Sequence, residues 1–200
     1  STSSTSAATA ASAAAGSTPA VPDPNFLARR QAAYQAWWEH LPVRFGPPAA
    51  DGSLRVHRAV DWGRDVRFVV LDGRQHRSDQ PCGDGAGDDC AARGDPAATM
   101  LGDDQEAWLS EQFRRSAADG VIWTVLVNQT ILADLTVRVG GKVQVAFDQW
   151  DGYPAARQRL LRAARDAGMA NLVVVTGDFH ASVASTVHLD GRAIATELEA

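Results

Sequence analysis

Asp178 and His180 stand two positions apart in the segment NLVVVTGDFHAS, directly after a β-branched apolar run that Gly177 closes. Leu172 to Val175 reads as a strand buried on both faces, and the glycine lets the backbone turn at its carboxyl end. Open α/β sheets bind ligands at that edge, where a carboxylate and an imidazole at this spacing can reach one divalent or trivalent cation. A helix cap followed by a surface histidine is the alternative that the spacing leaves open. A second apolar run, Val66 to Leu71, also ends in polar residues, Asp72-Gly73-Arg74-Gln75-His76-Arg77. Two strands would then deliver acidic and basic groups to one sheet edge. Arg74 and Arg77 suit phosphate oxygens through the guanidinium fork, and they suit an ordinary solvated surface pair equally well.

Cys82 and Cys90 flank the supple segment GDGAGDD. Their spacing is too long for a CxxC redox or zinc half-site and short enough to close a loop, so we expect a disulfide and, with it, an exported protein. Two free cytosolic thiols are the competing reading. Asp84, Asp88 and Asp89 in the same loop lack the ligand order of an EF-hand and read as solvated acids.

The chain must position these groups with 200 residues, 45% of them hydrophobic, which suffices for one sizeable core or part of a larger one. A net charge of −5, with scattered Lys and Arg, offers no field for nucleic acid. The longest apolar run is far short of the roughly 20 residues of a membrane span. Residues 1–22 are Ser, Thr, Ala, Gly and Pro almost throughout; they read as a disordered linker or insert, and they lack the basic start and large apolar block of a signal peptide.

From Asp23-Pro24 onward, Leu27, Tyr34, Trp37, Trp38 and Leu41 recur at helical spacing, and the aromatic stripe reads as a core-facing surface, with the lining of a cleft as the alternative. Leu54, Val56, Val60 and Trp62 suggest a strand with one buried face. A helix follows Gly102, with acids at its start and Trp108, Leu109 and Phe113 on one side. Val121 to Val127 is another buried strand, residues 137–145 read as a surface hairpin around Gly140-Gly141, and Pro154 opens a helix that Gly168 stops. Two strands joined at Asp190-Gly191 close the chain. Helices and strands alternate as in βαβ units, which places the fold in the α/β class.

The blocks DPNFLARRQAAYQAWWEHLPVR, FVVLDGRQHRSDQPC, TMLGDDQEAWL, DQWDGYPAARQRLL and VVVTGDFHAS occur here in that order. Together they resemble the carboxyl-terminal half of the catalytic domain in the PhoD-like family. Those are exported alkaline phosphatases and phosphodiesterases of the metallophosphatase, or calcineurin-like, superfamily. The resemblance covers residues 23–200 and implies part of an αββα sandwich, mixed β-sheets flanked by helices. It also implies an Fe³⁺ and Ca²⁺ centre that hydrolyses small phosphate mono- and diesters, a metal lowering the pKa of the attacking water.

Carried over position by position, the resemblance makes Asp178 and His180 metal ligands and Arg74 a catalytic group. It gives Asp72, Asp148, Asp151 and Tyr153 places in the site wall or behind the ligands. Gly73 stands where the family usually has Thr, which leaves the aim of Arg74 open. The family's iron-binding cysteine and its other acidic ligands have no counterpart here, and Cys82 and Cys90 do not replace them. The expectation is therefore a fragment that requires an upstream half, with a non-catalytic phosphate- or partner-binding remnant of the same fold as the alternative. No serine stands in a nucleophile elbow, so a serine mechanism has no support.

Overall fold

Three apolar runs that the sequence separates by helices lie side by side. The computed structural model describes residues 23–200, so the linker expected over 1–22 lies outside the described residues. In chain order the elements are α1 (Phe26–His40), β1 (Arg58–Trp62), β2 (Val66–Val70), β3 (Ala86–Asp88), α2 (Asp103–Ala118), β4 (Trp123–Val127) and β5 (Val137–Val139). There follow β6 (Lys142–Ala146), α3 (Pro154–Asp166), β7 (Leu172–Thr176), β8 (Val183–Leu189) and β9 (Arg192–Glu199). Six strands form one mixed sheet in the order β1-β2-β4-β7-β9-β8, and β3-β6-β5 form a small antiparallel sheet. Strands β2, β4, β7 and β9 run parallel, while β1 and β8 are antiparallel edges. This mixed α/β architecture, sheets flanked by helices, agrees with the expected class.

Register decides which residues meet. Val69, Leu126 and Val174 share one row across β2, β4 and β7 and are fully buried. Leu109 and Phe113 of α2 and Leu160, Leu161 and Ala164 of α3 belong to the same core cluster. Burial of each large apolar side chain there contributes roughly 1.5–3 kcal/mol. The next row, Val70, Val127, Val175 and Leu198, faces the other way; its valines are half-buried and Leu198 is exposed. The reading of Leu172–Val175 as buried on both faces is thus corrected, because the core helices pack on one face.

Two further expectations change. None of the residues of α1 is buried, so its aromatic stripe is not core. Trp37 stacks on Phe45, with ring centroids 5.6 Å apart, and Trp38 Nε1 donates to the Phe45 carbonyl at 2.8 Å. The helix therefore rests on the loop that follows it. Strand β1 starts only at Arg58, and its Val60 and Trp62 are exposed rather than half-covered, because β1 is a sheet edge. The hairpin at Gly140-Gly141, the helix opened by Pro154 and the turn at Asp190-Gly191 stand where the sequence puts them.

Cys82 and Cys90 form a disulfide with Cα atoms 5.9 Å apart. The acids beside it are engaged at the surface, Asp88 with Lys142 and Asp89 with Arg93. Reduction is expected to lower stability by about 2–3 kcal/mol, the chain entropy of so short a closed loop. Urea unfolding with and without reductant measures this, and two free thiols in denatured, oxidatively folded protein would contradict the bridge.

Candidate active site

Parallel strands present their carboxyl ends to one edge, and the segments after β2 and β7 carry the candidate site residues. After β2, two glutamines that the sequence reading passed over hold the backbone. Gln105, on α2, accepts from the Asp72 N–H at 2.8 Å and donates to the Asp72 carbonyl at 2.9 Å. Gln129, just past β4, accepts from the Gly73 N–H at 2.8 Å and donates to the Leu71 carbonyl at 2.7 Å. Both amides pair like rungs of an added strand. A Cβ at position 73 would stand 3.2 Å from Gln129 Oε1, so the glycine allows that approach. The Asp72 carboxylate in turn accepts from the backbone N–H groups of Arg74 and Gln75, each at 3.1 Å.

Arg74 leaves this clamped turn and meets two carboxylates. Its Nη1 donates to both Asp148 oxygens at 2.8 Å, and its Nη2 donates to Asp178 Oδ2 at 3.2 Å. Asp148 is shared: Arg77 Nη1 donates to it at 2.7 Å and Gln80 Nε2 at 3.0 Å. Burial by itself would raise the Asp148 carboxyl, but the Arg74 and Arg77 guanidiniums outweigh it and hold the group below the usual carboxylate range. The structure thus brings together Arg74, Arg77, Asp148 and Asp178, with Asp72 behind them. Chemically this is a forked cation held ready between two anions, a geometry that phosphate oxygens can enter by exchange with the carboxylates.

Asp178 and His180 lie past β7 in the left-handed region, with φ of 79° and 59°. The exposed His180 points to no partner among the hydrogen bonds of the described residues. Among those residues no three His, Cys, Asp or Glu side chains are grouped so as to hold a metal ion. Asp178 and His180 are two donors, one of them spent on Arg74. The described residues therefore do not by themselves make up an Fe³⁺ and Ca²⁺ centre.

Tyr153 and Asp151 stand further back. The Tyr153 hydroxyl donates to the Ser78 carbonyl at 2.8 Å, tying the start of α3 to the segment that carries Arg74 and Arg77. Asp151 is buried and its Oδ2 accepts from the Leu135 N–H at 2.9 Å. Burial pushes its pKa up to about 6; the Leu135 N–H opposes this, the Asp134 carboxylate adds to it, and Arg157 and Arg93 offset part. Because the folded value lies above the ordinary 3.8, this carboxyl favours the fold fully below pH 3.8, and that contribution is lost as pH rises through about 6. Asp151→Asn keeps an acceptor for Leu135, so it should stabilise the protein by up to about 3 kcal/mol at pH 8 and hardly at all at pH 4. Thermal unfolding at both pH values checks this, and equal gains at both would refute it.

The family model of the PhoD-like phosphatases matches residues 11–200, and the chain belongs to that family. Alkaline phosphatase D of Bacillus subtilis (strain 168) is 38% identical over 165 residues, 82% of this chain and 28% of that protein. A solved structure described as "Structure of PhoD" superposes with a TM-score of 0.80 at 34% identity, covering 87% of this chain and 34% of that one. The chain therefore spans about a third or less of the length of these relatives.

Proposed function

We propose that this chain is the part of a phosphoric ester hydrolase that presents Arg74 and the Asp178–His180 pair to small phosphate mono- and diesters. The observation that carries the reading is the Arg74 guanidinium, positioned between Asp148 and Asp178 where the segments after β2 and β7 converge. Arg74 takes phosphate oxygens, Asp148 holds Arg74 and Arg77 in place, and Asp72 fixes the turn from which both arginines rise. Asp178 and His180 contribute two ligands to an Fe³⁺ and Ca²⁺ centre, as the resemblance implies, and the other ligands come from a longer protein. Bound cations would neutralise the phosphate and activate water. The disulfide supports an exported location.

A second reading has its own support. Asp178 is paired with Arg74, which suits a phosphate-binding module of the same fold. Assay of a fluorogenic phosphomonoester and a phosphodiester at alkaline pH, with iron and calcium added, separates the two. The 200-residue chain alone should hydrolyse little or none, and a longer protein carrying it should turn over both until chelated. Chelator-sensitive turnover that follows the isolated monomer through gel filtration would refute the need for further ligands. A longer protein that binds inorganic phosphate without turnover would favour the module.

A further inference from the structure

Residues 177–182 lead from β7 to β8, and β9 lies between those strands, so the loop must step over the end of β9. Glu199 is the last residue of β9 and pairs in register with Thr176 on one side and Val183 on the other. Both anchor points of the loop thus flank one carboxylate. Its Oε1 accepts from the Phe179 N–H at 2.7 Å, and Phe179 is the residue between the two left-handed positions, Asp178 and His180. A left-handed conformation is disfavoured for any residue with a Cβ and persists only where the surroundings enforce it.

Glu199 is 5% exposed, and its Oε2 is buried with no hydrogen-bond partner. A buried acid carries a desolvation penalty that an apolar side chain at the same strand position would avoid. Only the bond to Phe179 accounts for it among the described residues. Two positions earlier on the same face, fully buried Glu197 accepts from Thr176 Oγ1 at 2.6 Å and from the N–H groups of Leu132 and Ala133 at 2.8 and 2.6 Å. Glu197 thereby ties the end of β7 to the segment after β4.

We propose that Glu199 is a positioning residue: by accepting the Phe179 N–H it sets the left-handed turn that directs Asp178 and His180 at the sheet edge, over a strand end that Glu197 holds. The effect on hydrolysis rests on the function proposed above, but the effect on the turn does not. NMR of the isotopically labelled 200-residue chain reads the turn directly. In the wild type the Phe179 amide should be protected from exchange, and the carbon shifts of Asp178 and His180 should report positive φ. Glu199→Ala should speed exchange at Phe179 about tenfold or more and move the shifts at 178 and 180, while the Val174 and Leu126 amides stay protected. Glu199→Gln keeps an acceptor and should restore protection to within about threefold. In an active longer protein, Glu199→Ala should lower kcat with KM little changed, and Glu199→Gln should recover it. Free exchange at Phe179 in the wild type, or unchanged shifts at 178–180 in Glu199→Ala, would overturn the proposal. Should Glu199→Ala not fold, the wild type and Glu199→Gln decide it by the same amide. A protected Phe179 in a protein without turnover would instead count against the catalytic reading alone.

Discussion

Arg74→Ala should lower kcat/KM for phosphate esters about 10²–10³-fold in an active protein carrying this chain, the usual loss when one preorganised charge is removed from a transition state. Arg74 is held from both sides, by Asp148 and by Asp178, and its backbone is fixed by the Asp72 carboxylate. It therefore loses little freedom when a phosphate replaces one of those carboxylates. Asp178→Ala and His180→Ala should fall at least as far, since they remove the acid or the imidazole from the turn after β7. Arg77→Ala should cost less than tenfold: its Nη1 reaches only Asp148, which keeps its bonds to Arg74 and Gln80. Steady-state kinetics on variants with native circular dichroism measure all four, and wild-type turnover in His180→Ala would place the site elsewhere.

Gly152→Ala should destabilise the protein by about 4 kcal/mol, beyond ordinary overpacking, because the obstacle is main chain. A Cβ at position 152 would lie 2.2 Å from the Phe147 carbonyl oxygen and within 3 Å of two more backbone atoms of Phe147. No rotamer relieves that contact. The tight stretch from Phe147 to Tyr153 carries Asp148 at one end and the Tyr153 hydroxyl bond to Ser78 at the other. Opening it would pull Asp148 away from both arginines, so phosphate binding should weaken along with stability. Denaturant unfolding checks the first effect, and a wild-type midpoint would refute it. This steric reason is invisible in the sequence.

Most strands and helices were legible from the chain alone, because their signals are local. Apolar runs ending in glycine or polar residues placed β2, β4 and β7, proline and glycine bounded α3, and the loop spacing of the cysteines pointed to their bridge. The polar groups after β2 and β7 followed from the same logic, since parallel strands bring their carboxyl ends to one edge. What needed the tertiary structure was every choice between equivalent faces and every partner distant in the chain. The aromatic stripe of α1 has helical period whether or not anything packs on it, and among the described residues Trp37 and Trp38 meet Phe45 of the next loop. Leu172–Val175 is apolar throughout, and only the placement of both core helices on one side leaves Val173 and Val175 half-covered. In β9 Ala195, Glu197 and Glu199 are the buried set, two of them acids. Acids are read as solvent-facing by default, and the backbone N–H groups that make their burial tolerable come from residues 132, 133 and 179, which sequence proximity does not bring together. The chain by itself determined that a carboxylate, an imidazole and a guanidinium would stand at strand ends. The fold decided that Arg74 meets Asp148 and Asp178, and that Glu199 lies beneath the turn, because strand order and register, set by global packing, determine which loop ends become neighbours.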